Sequence, residues 1–441
     1  MIPTCPTTSE PGFEAVATAL GRSGDGLVRH EGETLFVPFL LPGERAMLGR
    51  AGRGHAHIAR LIEASAERAA PPCPHFGRCG GCSLQHLQAG PLARFKLDRV
   101  RRALAEAGFT PPIETGFVAI PPASRRRMDL AVRRGAGGLE LGLHARGSHA
   151  IEPITHCAVL DPPLLELVHA LPDLLRPLAC LRREGSAIAN LLASGPDLLL
   201  ATDGTPTAAC RSRVAAFAAA HGLPRIAWRP LADPDAPPET LCSLRPATHR
   251  LATYLAGGVT IEPPPGAFLQ ASLAGEQAIA QAVLDALPAR RSRRERVVEL
   301  YAGCGTLSLA IAGHGWTVLA VEGHAASAAC LRRAGASRGV EVAVRDLNRQ
   351  PLLPAEFVRA AAVVLDPPWA GAGAQMAPLA RAGVERIIMV SCNPSALERD
   401  GTVLRAAGYG LERLTVIDQF AWSAEIEAVA VFGKGRQGRC P

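Results

Sequence analysis

From Ile261 onward the chain alternates short apolar runs with helical segments, and this alternation restricts the fold more than any other feature. Val297-Val298-Glu299-Leu300, Thr317 to Val321, Val363-Val364-Leu365 and Ile387-Ile388-Met389-Val390 read as strands. Leu307 to Ala312 and Ala325 to Ala336 read as helices. Strands that are apolar at nearly every position must be covered on both faces, and helices threaded between parallel strands supply that cover. The expected architecture is therefore α/β: a doubly wound, Rossmann-like parallel sheet over residues 263–441.

Two further units are expected upstream. Residues 1–65 hold short strand-like stretches separated by glycines and tight turns: Val16 to Leu20, Thr34 to Leu40, and a less regular one from His55 to Ile62. This pattern predicts a small β-barrel, a class that often takes up single-stranded nucleic acid. Residues 66–262 predict a mixed α+β domain, with a helix from about Leu92 to Ala107 and strands at Met128 to Val132 and Leu139 to His144.

Composition narrows the function classes. Of the 441 residues 48% are hydrophobic, but only 4% are aromatic and much of the rest is alanine, so Leu, Ile and Val must fill the cores. No apolar run is long enough to cross a bilayer, and Met1 to Thr18 lacks the basic start and apolar centre of a secretory signal. A cytoplasmic protein with neither membrane nor obligate protein partner is expected. The net charge of +7 is compatible with a polyanionic partner without requiring one. Arg125-Arg126-Arg127 and the run from Arg290 to Arg296 are either solvated loops or phosphate contacts.

The strand ending at Leu300 runs into Tyr301-Ala302-Gly303-Cys304-Gly305-Thr306. Two glycines one residue apart permit a tight turn and close approach of a ligand, at a point where a helix N-terminus offers free N–H groups. A plain turn is the simpler reading of that pattern alone. The next strand ends in Glu322, placed to accept from ribose hydroxyls. A dinucleotide motif wants a third glycine, yet Ser308 stands there, which favours an adenosine ligand without pyrophosphate, such as S-adenosylmethionine.

A later strand ends in Val390-Ser391-Cys392-Asn393-Pro394, and Asp366-Pro367-Pro368 ends the one before it. A buried cysteine is ordinarily inert packing. At the carboxyl end of a parallel strand, with Asp366 nearby and Glu427 in the last strand-like segment, Cys392 instead suits covalent chemistry. A thiolate that adds to C6 of uracil makes C5 nucleophilic, and a carboxylate can then remove the C5 proton.

The spacing Cys73-x5-Cys79-x2-Cys82 suits a metal or an iron–sulfur cluster, with Cys157 as the choice of fourth ligand. Four-thiolate zinc is the alternative. In a cytoplasmic chain these cysteines are not read as disulfides. The glycines around Cys79 and Cys82 would let backbone N–H groups point at sulfur.

Together these segments resemble the bacterial RNA (uracil-C5)-methyltransferases, and most closely those that act on 23S ribosomal RNA and carry a [4Fe–4S] cluster. The resemblance implies a TRAM domain, an OB-like barrel, near the N-terminus, and implies Cys73, Cys79, Cys82 and Cys157 as cluster ligands. It implies S-adenosylmethionine contacts by Gln270, Tyr301, Gly303, Gly305, Thr306, Glu322, Asp346 and Asp366. Cys392 matches the nucleophile, Arg399-Asp400 completes its motif, and Glu427 matches the general base. The chain departs from the family at Trp369, where arginine is common, at Ala421-Trp422-Ser423, where Pro-His-Thr is common, and at Glu425, where histidine is common. Ala271-Ser272 replaces a frequent Val-Asn. The expected partner is RNA, 23S ribosomal RNA first and the T-loop of transfer RNA second. A non-catalytic RNA-binding factor is the reading from another class, and the joint presence of Cys392 and Glu427 argues against it.

Overall fold

The structure, a computed structural model, describes residues 12–110, 114–251 and 258–435. Near the N-terminus, strands Phe13–Val16, Arg45–Arg50 and Ala56–Glu63 form one antiparallel sheet, and Ala19–Leu20, Gly26–His30 and Glu33–Val37 form another. Both sheets feed one core containing Val28, Leu35, Val37, Ala46, Leu48 and Ile58. The expected stretch Val16 to Leu20 is broken, because the chain changes sheets there: Ala17 N–H donates to Glu44 O and Thr18 N–H to Leu27 O. The expected Thr34 to Leu40 strand stops at Val37 for a turn that closes Leu40 N–H on Val37 O. Gly26 is demanded by a close approach, since a Cβ there would sit 2.4 Å from Leu40 O. Residues 1–11 of the expected barrel lie outside the described residues.

The buried carboxylate of Glu44 ties this unit to the chain that follows. It accepts from Leu41 N–H at 2.8 Å, and Arg68 reaches its two oxygens at 2.5 and 2.6 Å. A buried acid is tolerated only when paired and fully hydrogen-bonded. Farther along, strands from Arg127–Gly135 to Glu239–Ser243 build a seven-stranded sheet, and its core includes Leu164, Leu171, Val214 and Phe217 from two helices.

The candidate functional site sits on an eight-stranded sheet. Its elements are α1 (Ala89–Glu106), β1 (Glu114–Ala119), α2 (Leu273–Ala286), β2 (Arg296–Leu300), α3 (Thr306–Gly313), β3 (Thr317–Glu322), α4 (Ala325–Gly335), β4 (Val340–Val344), β5 (Ala360–Leu365), α5 (Met376–Ala382), β6 (Arg386–Ser391), α6 (Pro394–Ala406), β7 (Tyr409–Asp418) and β8 (Glu427–Lys434). The strand order is β4-β3-β2-β5-β6-β8-β7-β1. Strands β4 to β6 run parallel, and β8 is antiparallel to both β6 and β7. Side chains of β2, β5 and β6 alternate between two cores. Val298, Val363, Ile387 and Met389 face one, while Val297, Val364, Ile388 and Val390 face the other. This double burial is the physical reason for the unbroken apolar runs, as a doubly wound sheet requires.

One finding runs against the expected division of the chain. Residues 66–262 do not stay together, since α1 packs on α6 and β7, and β1 pairs in parallel with β7 as an edge strand of this eight-stranded sheet. A single buried cation fixes this arrangement. Lys96 of α1 is fully buried, and its Nζ donates to Asp418 Oδ1 at 2.5 Å and to Phe420 O at 2.9 Å. Burial lowers the Lys96 pKa, against the charge and hydrogen bond of Asp418. Lys96→Met is expected to leave Asp418 unpaired and to cost about 3 kcal/mol, read as a lower urea midpoint at unchanged slope.

Candidate active site at the strand ends

Strand β2 lies between β3 and β5, so the direction of winding reverses there and a crevice opens at the carboxyl ends. The turn after β2 is held in a costly shape. Tyr301 adopts φ +62°, a left-handed value for a bulky residue. Its hydroxyl donates to Ala372 O at 3.0 Å, which offsets the strain. Gly303 has φ +54°, and a Cβ there would meet nothing within 4 Å, so its outer side is open. Gly305 has φ +95° and a Cβ would strike Leu331 Cδ1 at 2.2 Å, so glycine is required for the loop to lie on α4.

Thr306 opens α3, whose N-cap, Gly305, has no side chain to satisfy the first N–H groups. Glu322 ends β3, and its carboxylate accepts from Gly303 N–H at 2.7 Å and from His324 N–H at 2.6 Å. Asp346 follows β4 with its backbone beside Gly323, and its Oδ1 accepts from Asn348 N–H at 2.9 Å. The structure thus brings Tyr301, Gly303, Gly305, Thr306, Glu322 and Asp346 to one rim. Ser308 has a role that the missing third glycine did not suggest. Its hydroxyl donates to Glu299, a buried acid whose pKa burial pushes up to about 8.

The other side of the crevice carries three buried polar side chains, Gln270, Gln419 and Glu427, in a line with the half-buried Asp366. Gln270 Nε2 donates to Asp366 Oδ2 at 3.1 Å. Gln419 Nε2 donates both to Gln270 Oε1 at 2.8 Å and to Glu427 Oε2 at 3.0 Å. Glu427 Oε1 and Gln419 Oε1 are buried without a partner among the described residues. Burial pushes the Asp366 carboxyl up to about 7, and Glu427 is raised well above the carboxylate range by burial first and by Asp366 second. Gln419 was not singled out from the sequence. It follows β7 directly, and only the folded sheet shows that this rim is shared with Glu427.

Cys392 follows β6 and is half-buried. The register pairs Ser391 with Ala428, so Cys392 and Glu427 come next to one another at the same edge of neighbouring antiparallel strands. Burial, then the charges of Glu427 and Asp366, push the Cys392 thiol up to about 12. Asn393 caps α6 through Ser395 N–H at 3.0 Å and donates from Nδ2 to Trp369 O at 2.9 Å, which binds the loop after Asp366 to the cysteine turn. Asp400 accepts from Ala372 N–H at 2.8 Å and holds the far end of that loop. Trp369 itself is 68% exposed.

The arginine run at 125–127 proves to be internal. Arg126 is buried, paired with Glu276, and donates to Gln270 O at 2.9 Å. Arg127 donates to Leu269 O at 3.1 Å and lies over the Phe268 ring at 4.5 Å. A buried, paired guanidinium is not free to hold phosphate, so Arg126 anchors the Gln270 segment instead. In the second run, Arg290 donates to Gly315 O and Arg291 pairs with Glu385.

Cys73, Cys79, Cys82 and Cys157 are all free thiols, each half-buried. They lie within one another's electrostatic reach, since Cys157, Cys79 and Cys73 all help raise Cys82, after burial, to about 12. Gly81 N–H donates to Cys79 Sγ at 3.4 Å, a contact of the kind expected around sulfur in this turn. Among the described residues, no group of three or more His, Cys, Asp or Glu side chains is gathered as one metal ion needs. Tetrahedral zinc needs sulfurs about 3.8 Å apart, whereas a cubane cluster holds its four thiolates farther apart, at separate corners.

Comparison with known proteins follows this geometry. A family model described as tRNA (Uracil-5-)-methyltransferase matches residues 340–434, the stretch that carries Asp366, Cys392 and Glu427. An RNA methyltransferase of Brucella suis is 37% identical over 441 residues, covering 98% of this chain and 100% of that protein. The 23S rRNA (uracil(1939)-C(5))-methyltransferase of Halomonas elongata is 34% identical over 441 residues, covering 96% of this chain and 89% of that protein. The crystal structure of the Pyrococcus abyssi tRNA (uracil-54, C5)-methyltransferase with S-adenosyl-L-homocysteine shares the fold, with TM-score 0.71 at 19% identity over 95% of this chain and 100% of that one. On these whole-length matches, the chain belongs to the RNA (uracil-C5)-methyltransferase family, enzymes that use S-adenosylmethionine to methylate uracil in RNA.

Proposed function

We propose that this enzyme makes 5-methyluridine in 23S ribosomal RNA, with Cys392 as covalent nucleophile and Glu427 as general base. The observation that carries the chemistry is the register of β6 and β8, which sets a thiol beside a buried carboxylate with one oxygen free. The choice of RNA rests on the whole-length likeness to the Halomonas elongata enzyme, together with the four cysteines.

The sulfur of Cys392 adds to C6 of a flipped-out uracil, forming an S–C6 bond and shifting the C5=C6 electron pair toward the C4 oxygen. S-adenosylmethionine supplies the electrophilic methyl group that C5 takes. Glu427 then accepts the C5 proton, the C5=C6 bond re-forms, and the C6–S bond breaks with the electron pair returning to sulfur. Gln270, Tyr301, Gly303, Gly305, Thr306, Glu322, Asp346 and Asp366 would line the donor's site, and the bare backbone at Gly303 fits close approach of a ligand. Cys73, Cys79, Cys82 and Cys157 would hold a [4Fe–4S] cluster. Because methyl transfer here is redox-neutral, such a cluster would order the loops that carry its ligands. The N-terminal sheets, read as an OB-like TRAM barrel, would contact RNA backbone.

The resting thiol is neutral, so its proton passes to solvent water before sulfur adds, which leaves Glu427 unprotonated for the C5 proton. The acid form of Glu427 is likewise inactive as a base. Both raised values act in the same direction, and activity is expected to climb with pH from about 6 to 9 as the thiolate and carboxylate fractions grow. A flat initial-rate profile over that range would contradict it.

Cys392→Ala is expected to abolish methylation while S-adenosylmethionine still binds by calorimetry. With 5-fluorouridine RNA and S-adenosylmethionine, the wild type should yield a denaturation-resistant adduct and Cys392→Ala none. Mass mapping of RNA from cells lacking the enzyme should show one 23S 5-methyluridine missing; loss from the transfer RNA T-loop alone would overturn the ribosomal assignment. Anaerobically purified protein should be brown with broad visible absorption, and stoichiometric zinc without that absorption would overturn the cluster assignment.

A further inference from the structure

We infer that Gln419 is a positioning residue for the elimination step: its carboxamide holds one oxygen of Glu427, leaves the other as the proton acceptor, and links that base to the donor-side Gln270. The inference rests on the reading of Glu427 as general base. The geometry is specific. One amide nitrogen donates to Glu427 Oε2 at 3.0 Å and to Gln270 Oε1 at 2.8 Å, and Gln270 in turn donates to Asp366. Glu427 Oε1 has no partner among the described residues, so the lone pairs free for a proton lie on that oxygen.

The fold makes room for this clamp. Gly275 lies in the first turn of α2, and a Cβ there would sit 2.5 Å from Gln419 Oε1 and 2.9 Å from Gln419 Cβ. Glycine inside a helix costs about 0.5–1 kcal/mol relative to alanine. Here the missing methyl is where the carboxamide rests. Gln419 Oε1 accepts nothing among the described residues, so the amide's placement is set by its donors and by Gly275.

The titratable groups facing Glu427 are Asp366, at the end of β5, and Cys392, after β6, and both carry or develop negative charge. Burial and the charge of Asp366 work against an ionised Glu427, and the charge of Glu427 in turn works against a Cys392 thiolate. The Gln419 hydrogen bond is the one contact that favours the carboxylate. Without it, less of the base is ionised at a given pH, and the acid limb moves up.

The test uses the full chain with S-adenosylmethionine and a uridine-containing substrate RNA. Gln419→Met keeps the side chain's length and removes the donor. It is expected to slow kcat about tenfold to a hundredfold. The acid limb of kcat should move up by about one pH unit, the worth of one hydrogen bond to a charged group. An adduct that survives denaturation should build up and clear as pH rises. Gly275→Ala should displace the carboxamide and reproduce the same kinetic signature, with a lower melting temperature because its Cβ would also meet Ser272 Oγ at 2.8 Å and Gln419 Cβ at 2.9 Å; kinetics of each variant are read below its own melting transition. Glu427→Gln should hold the adduct at every pH. If Glu427→Gln stalls while both other variants keep the wild-type kcat and pH profile, the role of Gln419 is overturned and that of Glu427 stands. If Glu427→Gln releases product freely, the base assignment itself fails.

Discussion

Two carboxyl groups sharing one water-poor crevice set the terms for this site. Asp366 and Glu427 each lose solvation on burial, and the charge of Asp366 further opposes ionisation of Glu427, so neither sits in the ordinary carboxylate range. A buried acid with no partner would be costly, and here two neutral carboxamides relieve the cost without adding charge. A lysine or arginine in place of Gln419 would drive Glu427 far down the pKa scale and lower its proton affinity. An apolar residue would leave it largely protonated. A carboxamide lies between these extremes, and its second hydrogen bond makes the position of the Glu427 carboxylate depend on that of Gln270.

That dependence reaches well beyond the crevice. Gln270 is held through its backbone by Arg126, which is buried and paired with Glu276 on α2. Arg126 N–H also donates to Ala271 O, and Arg125 bonds at both ends to the segment around Val159 and Asp161, close to Cys157. On the opposite side Lys96 holds Asp418, the residue just before Gln419. Two buried cations from outside the strand–helix alternation therefore brace the two carboxamides of the site. Such bracing holds the two carboxamides in place, because side chains supported by packing and further hydrogen bonds keep their geometry.

Much of the catalytic sheet was legible because its signal is local. Runs such as Val297 to Leu300 and Ile387 to Val390 are apolar at alternate and intervening positions alike, and only two-sided burial produces that pattern. The sequence also placed Cys392 and Asp366 at the ends of strands, which is where β6 and β5 stop. What escaped depends on pairings across long separations. Glu114 to Ala119 looks like part of the central region, yet it pairs with a strand 299 residues later. Arg125-Arg126-Arg127 resembles a solvated run because charge is visible in a sequence and burial is not.

Gln419 shows the same limit most sharply. Its neighbours Asp418 and Phe420 give no periodic clue, and its partners Gln270 and Glu427 lie 149 and 8 residues away. The sign that it matters lies elsewhere, in a glycine at position 275 inside an otherwise well-formed helix with a Ser272 cap and Glu276 in the first turn. A helix that accepts the entropy cost of glycine where alanine would be favoured is making way for something. What it admits here is the oxygen end of one carboxamide, and the donor end of that amide meets the Glu427 carboxylate beside Cys392.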